Sequence, residues 1–346
     1  MKKIKKSKKI ELYILIACVA FALVIALGVL LKYSYTPINP YGNKDAVVLV
    51  DIPTGSSFYK ATEILNKAGL IKSRYLFYYL AFTKRAFRSI RAGEYEFSDS
   101  MTPGAVIDKL LHGEIKTYKT LIPEDLTIKE IAEIMMKDKL IDKKEFMELA
   151  YDHDFLKTLG ITAKSIEGYL FPETYHFNRS MSTREIMRIM VAQFRKRVTP
   201  EMEKRAKELG FEDLNKFVTF ASIVGKESGN KPEKPTISAV FHNRLKKRMP
   251  LQSDPTAVYD LKDFSGKIRR SHLKRKSPYN TYFIRGLPPG PIANPGIDSL
   301  KATLNPEKVN FLYFVSKKDG THYFSASLDM HNKAANQYHN IKYKKQ

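Results

Sequence analysis

A carboxylate closes an apolar run in the stretch FASIVGKESGN, residues 220–230. Phe217, Phe220, Val224 and Glu227 recur at i, i+3, i+7 and i+10, so they share one face of a helix. Glu227 extends a buried stripe at its C-terminal end, and Gly229 just beyond it is the expected helix stop. Desolvation and the negative end of the helix dipole would both raise the pKa of a carboxyl group there. Such a group can hold a proton near neutral pH and deliver it. The competing reading is a glutamate at a helix end whose carboxylate simply reaches water.

Polar residues downstream bear on that choice. VFHNRL carries Asn243 and Arg244, and MPLQSDPTAVYD groups Gln252, Ser253, Asp254 and Thr256 around Pro255. The segment SPYNTYFIRGLPPGPIANPG holds four prolines and three glycines between 286 and 296, so it can be neither an ordinary helix nor a central strand. It reads as a rigid wall lined with backbone carbonyls and amides, with Tyr279 and Tyr282 nearby to cover a sugar face. DGTHYFSASLDMHNKA adds His322, Ser325, His331 and Asn332. Turn formers, core tyrosines and surface histidines are the plainer reading of each.

The chemistry these residues suit is carbohydrate cleavage. Glycosidases ordinarily use two carboxylates, one as acid and one as base or nucleophile. Asp254, and Glu173 in SIEGYLFPETYHF, are candidates for a second carboxylate that would make the chain a hydrolase. One carboxylate suffices if the substrate brings its own nucleophile. The free C6 hydroxyl of muramic acid can attack C1, giving a 1,6-anhydro sugar without water. A metal hydrolase built on His322 and His331 lacks an H-E-x-x-H motif, and a single cysteine, Cys18, excludes a Cys-rich zinc site or an intrachain disulfide. No cofactor or metal is called for.

The elements that must position these groups follow from the rest of the chain. Its 346 residues allow two or three domains. MKKIKKSKKIE carries six lysines, and residues 12–31 then run without a charge. At about 1.5 Å per residue that helix covers roughly 30 Å, the thickness of a bilayer core. No small-residue cleavage site follows, so a retained span with a cytoplasmic N-terminus is expected, and the remainder lies outside the cytoplasm. Net charge is +23, of which the first 32 residues supply six, leaving +17 for the exported part. That favours anionic surfaces such as lipid headgroups and wall polymers over nucleic acid, which is scarce outside a cell. The opposing possibility is a generally lysine-rich protein with solvated faces.

Residues 32–45 read as a linker. AVVLVDIP and RAGEYEFSD read as strands, with helices over SSFYKATEILNKAGLI, SRYLFYYLAFTKR and MTPGAVIDKLLHGE. Residues 52–71 and 122–141, offset by 70, share Ile-Pro at the start, Glu-Ile in the middle and Leu-Ile at the end, so two related strand–helix units are expected. Four helices follow from Ser182 to about residue 249, and short strands return at FLYFVSK and HYFSA. Residues 164–346 read as one larger α+β domain.

Several segments occur together in a recognisable order: EGYLFPETY (167–175), ASIVGKES (221–228), VFHNRL (240–245), LQSDPT (251–256), YNTY with GLPPGPIANPG (279–296), and HYFS with HN (322–332). With the N-terminal span they resemble the endolytic murein transglycosylases of bacterial membranes, the family also called YceG-like. The resemblance implies a lytic transglycosylase that cuts the MurNAc–GlcNAc β-1,4 bond within nascent glycan strands, leaves 1,6-anhydro ends and stops elongation. It implies a LysM-like subdomain over 46–115, a connecting strand–helix unit over 116–163 and a catalytic domain over 164–346, behind a tail (1–11) and span (12–31). It maps the catalytic glutamate onto Glu227, as acid and then base. Glu173, Asn243, Gln252, Asp254, Tyr279, Asn280, His322 and Asn332 match motif positions and are assigned to substrate contact or support. The implied partners are peptidoglycan strands, the synthases that make them and the lipid bilayer. The family's IVEKE motif departs here, since Gly225 stands where the first glutamate belongs. A non-catalytic glycan-binding anchor is the competing reading, and it predicts that Glu227→Gln leaves function intact.

Overall fold

The computed structural model describes residues 2–39, 46–88, 90–261, 264 and 266–340. Its first element, α1 (Lys2–Tyr35), contains over Lys9–Tyr35 a stretch long and apolar enough to cross a membrane. The helix continues through Tyr35, into the start of the expected linker, whose residues 40–45 lie outside the described residues. The chain divides into two compact units, Met1–Tyr118 with Asn178–Ser180, and Lys119–Phe177 with Met181–Gln346.

In the first unit α1 is followed by β1 (Val47–Ile52), α2 (Phe58–Lys67), α3 (Arg74–Thr83), β2 (Gly93–Ser98) and α4 (Pro103–His112). β1 and β2 pair antiparallel, with Val47 opposite Ser98 and Ile52 opposite Gly93. The alternation in β2 buries Gly93, Tyr95 and Phe97 and leaves Glu94, Glu96 and Ser98 half-exposed, as a strand with one face on a core requires. Ser57, Ser73 and Thr102 cap the three helices, each accepting the N–H three residues on. Gly113 ends α4 at φ +64, a conformation that costs other residues a Cβ clash. Phe58, Leu65, Phe77, Leu80, Tyr95, Phe97 and Ile107 form the core, and Leu30 and Ile38 join it from the N-terminal segment.

β3 (Tyr118–Leu121) starts where the units divide. It leads into α5 (Ile128–Lys137), α6 (Lys143–Leu149), α7 (His153–Thr158) and β4 (Thr174–Phe177), which lies beside β3. Strand, helices and returning strand thus recur, and the 70-residue offset reappears at the caps: Ser57 opens α2 and Thr127 opens α5. There follow α8 (Thr183–Arg197), α9 (Pro200–Glu208), α10 (Leu214–Glu227), α11 (Lys234–Lys246), α12 (Asp254–Val258), α13 (Arg270–Leu273) and α14 (Ile297–Leu304). A hairpin of β5 (Tyr313–Ser316) and β6 (His322–Ser325) and a last helix, α15 (Leu328–Asn340), complete a mixed α+β chain. α10 is the central helix of the second unit. Residues 217–225 are buried all round, and α11, α12 and α14 pack on it.

Candidate active site

Asp213 opens α10, its Oδ1 accepting the Lys216 N–H at 2.7 Å. The far end is set differently from expectation. Ser228 turns the chain extended at φ −143 and its Oγ accepts the Asn230 N–H at 3.0 Å, so Gly229 needs no left-handed turn. The end of the proline-rich segment, read as a wall lined with backbone groups, turns inward. Residues 290–296 are buried and strap α10 from the side. Ser222 Oγ accepts the Ile292 N–H at 3.0 Å, and Gly168 comes so close that a Cβ there would sit 2.6 Å from Pro291 and 2.7 Å from Val218. The Ile292 N–H and the Pro289 carbonyl, which accepts from Asn215 Nδ2 at 3.3 Å, tie this segment to α10, while the Asn294 backbone pairs with Leu126 and Asp125, and the last residue of α10 gains a rigid mount.

That last residue is Glu227. The residue as a whole is half-buried, but Oε1 is sealed from solvent and has no hydrogen-bond partner among the described residues. Burial pushes the carboxyl up to about 7, and the negative charge of Asp254 adds to the rise. The Ser253 hydroxyl and the Arg244 guanidinium work against it. Ser253 is near enough to favour the carboxylate, yet its Oγ completes no hydrogen bond either. Two buried polar atoms are thus left unsatisfied side by side, a costly arrangement in a merely structural spot.

The surrounding groups are firmly held. Arg244 donates from Nε to Leu312 O at 2.7 Å and from Nη1 to Pro250 O, Leu251 O and Gln252 Oε1 at 3.0–3.1 Å, and it lies over the Tyr313 ring. Its partners are carbonyls and a ring, so its charge is not cancelled by a carboxylate. Asp254 Oδ1 accepts the Tyr282 hydroxyl at 2.6 Å. A carboxyl near 7 with an unused oxygen is about half protonated at neutral pH and can act as acid in one step and base in the next.

The other expected residues fall into two groups. Gln252 and Asp254 join Glu227 through Arg244 and Ser253, and Gln252 adopts φ +54 to do so. The rest are engaged elsewhere. Arg197 binds Glu173 at 2.7 Å and holds its carboxyl below the ordinary range, so it carries no proton to give. Asn243 Nδ2 donates to Val309 O and Phe311 O at 2.8 and 3.0 Å. Asn280 is fully buried and organises its own loop, donating to Leu273 O and Arg275 O and accepting from the Tyr282 N–H. Tyr279 packs on Tyr259 with ring centroids 4.7 Å apart. His322 Nδ1 contacts Glu233 Oε2 at 2.8 Å, His331 lies on Tyr313, and Asn332 is exposed on α15. No group of three or more His, Cys, Asp or Glu among the described residues could hold a metal. An open depression of 510 Å³ lined by Phe211, Lys216, His242 and Lys246 includes neither Glu227 nor the groups that tune it.

Two features escaped the sequence. Glu167 is buried, yet fully used. It accepts from the Ile128 N–H at 3.0 Å, from Asn294 Nδ2 at 2.8 Å and from the Tyr259 hydroxyl at 3.0 Å. Burial raises it to about 8 even so. Asn294 Oδ1 in turn accepts the Gly168 and Leu170 N–H groups. The second feature explains Gly225. A Cβ built there would stand 1.8 Å from Asp125 Oδ1, so a carboxylate from another segment fills the space. Asp125 holds φ +64, its carboxyl is raised to about 6 by burial, and buried Lys234 lies 3.5 Å from Oδ2. The place of a glutamate side chain at 225 is thus taken by the carboxylate of residue 125. The only sequence signal was an aspartate at a position needing left-handed backbone.

A model of the YceG-like family matches residues 50–337. An endolytic murein transglycosylase of Bacillus subtilis is 35% identical over 307 residues, 84% of each chain. One from Streptococcus pneumoniae is 28% identical over 366 aligned positions, 94% of this chain and 65% of the relative. The crystal structure of a yceG-like protein from Listeria monocytogenes superposes with a TM-score of 0.58 at 32% identity, covering 84% of this chain and 99% of that one. On this extent of agreement the chain belongs to the YceG-like family.

Proposed function

We propose that this chain is a membrane-anchored endolytic murein transglycosylase in which Glu227 is the catalytic residue. The observation that carries the reading is the buried, unpartnered Oε1 of Glu227 on a carboxyl poised near 7. In the first half of the reaction Glu227 gives its proton to the oxygen leaving C1 of a MurNAc residue, and the bond to GlcNAc breaks. In the second half the MurNAc C6 hydroxyl bonds to C1 and its proton returns to Glu227. The products are a 1,6-anhydro-MurNAc end and a free GlcNAc end, and no water is consumed. Arg244 and Ser253 stabilise the carboxylate between the halves, while Asp254 keeps its pKa from falling too far to serve as acid. No cofactor enters this scheme.

Residues 12–31 are the span, with the N-terminus cytoplasmic and the catalytic domain, 164–346, on the far side. The β–α–α–β order of residues 47–98 supports a LysM-like subdomain. A strand-terminating enzyme on the membrane works beside the synthases that make the strands, and these are the proposed partners. Gln252 and Asp254, which the structure groups with Glu227, are the first candidates for substrate contact.

The test is digestion of purified peptidoglycan by the chain and by Glu227→Gln, with product masses read. Anhydro-muropeptides from the chain and none from the variant support the reading. Reducing ends, one water heavier, would make it a hydrolase with Asp254 as the second carboxylate. Equal products from both proteins would remove Glu227 from the chemistry.

A further inference from the structure

α3 is apolar on both sides. Phe77, Leu80 and Ala81 are buried in the core of the first unit. Tyr75, Tyr79 and Phe82, at i, i+4 and i+7, form a second stripe on the outside, 84%, 51% and 68% exposed. A helix on a protein surface normally turns a polar face outward, and one that is apolar all round is covered.

The position of α3 says by what. Leu30, in the last turn of the charge-free stretch of α1, is buried in the same cluster as Phe77, Leu80 and Ala81. Tyr33, three residues on, donates its hydroxyl to Ser73 O at 3.1 Å, and Ser73 caps α3. Ser34 presses on α4 so closely that a Cβ at Gly104 would stand 2.7 Å from its Oγ. α3 is therefore clamped to the end of the apolar stretch, at the level where a bilayer passes from hydrocarbon to headgroups. Tyrosine and phenylalanine suit that level, the ring in the apolar layer and the hydroxyl at the wet edge. The charge agrees. Residues 72–91 hold six lysines and arginines and no acid, which suits anionic headgroups.

We infer that α3 lies in the outer interface of the membrane, with Tyr75, Tyr79 and Phe82 seated among the lipids, so the first unit is docked on the bilayer as well as tethered to it. This rests on α1 being a span, and the experiment separates the two. The chain has no tryptophan. Single reporters Tyr79→Trp and Phe82→Trp, conservative changes at exposed sites, are placed in the full chain beside a reference, Ile16→Trp, within the apolar stretch. Each protein is reconstituted in phosphatidylglycerol-containing vesicles whose lipids carry bromines either near the glycerol or deep in the acyl chain. The expected result is that deep bromines quench Ile16→Trp most. Shallow bromines quench Tyr79→Trp and Phe82→Trp, with emission shifted to the blue. Water-like, unquenched emission from both α3 reporters beside a quenched Ile16→Trp overturns the docking and leaves the span. The same emission shifting on addition of glycan strands assigns the stripe to glycan and also overturns it. An unquenched Ile16→Trp removes the span and the docking together.

Discussion

Two glutamates of the second unit, one buried and one half-buried with a sealed oxygen, are managed in opposite ways. Glu167 sits among donors from residues 128, 259 and 294, so every oxygen has a partner. Glu227 ends a helix fixed by the strap 290–296 and keeps one oxygen without any. Burial raises both, to about 8 and about 7. The difference is in what the surroundings do with the cost. Around Glu167 hydrogen bonds offset it and join three distant segments. Around Glu227 it is left standing, which is how a site keeps a proton ready to move.

The same substitution should separate the two. Glu227→Gln is expected to lower formation of anhydro ends by at least about 10²-fold, as loss of a general acid does, with the thermal midpoint held or raised. Chromatography of muropeptides and a melting curve check both parts. Glu167→Gln should keep activity and fold, because the Tyr259 hydroxyl can accept from the new amide. Glu167→Ala is the damaging change there. It strands the Ile128 N–H, the Asn294 amide and the Tyr259 hydroxyl, at about 3 kcal/mol in total. That would show as a midpoint about 5–10 °C lower. A Glu167→Gln enzyme as inactive as Glu227→Gln would erase the distinction.

Stability against pH sharpens it further. The folded value of Glu227, about 7, stands above its ordinary 4.5. Between those values the folded chain holds a proton that the unfolded chain has released. Stability from this group is therefore full below 4.5, falls as pH rises, and levels off beyond 7. Relative to Glu227→Gln, the native chain should lose about 3 kcal/mol across that window, at about 1.4 kcal/mol per pH unit. Urea unfolding at stepped pH measures the gap, and a constant gap would mean that Glu227 titrates as an exposed carboxyl. The smallest effect belongs to Asp254→Asn. Removing that charge lowers the pKa of Glu227, so the alkaline limb of the pH–rate profile should move down, by less than about one pH unit. An upward move would contradict the assigned sign.

Much of α10 was legible in the chain itself. Phe217, Phe220 and Val224 announce a buried face, and Glu227 at the next position on that face is conspicuous. Two helix caps were legible too, because Ser57 and Ser182 act on amides three residues away. Glu167 was not. Its partners lie 39, 92 and 127 residues along the chain, and nothing local distinguishes it from Glu173, six positions on, which pairs with Arg197 at the surface. Periodicity reports which face of one element is buried. It cannot report which donors other segments bring to that face. The proline-rich strap shows the same limit: its stiffness follows from composition, but the direction of its amides depends on Ser222 and Leu126.

The carboxylate of Asp125 over Gly225 makes two distant positions interdependent. Two positions a hundred residues apart share one volume, so residue 225 cannot gain a side chain unless the Asp125 carboxylate moves or is removed. Gly225→Glu alone should destabilise the end of α10, because the new side chain meets the Asp125 carboxylate. Combined with Asp125→Gly, which also relieves φ +64, it should be tolerated, and melting curves of the two single variants and the double variant would show strong non-additivity. Such a pair is epistatic: the effect of a substitution at 225 is set by the residue already present at 125. Packing therefore orders the steps: residue 125 has to give up its carboxylate before residue 225 can acquire one.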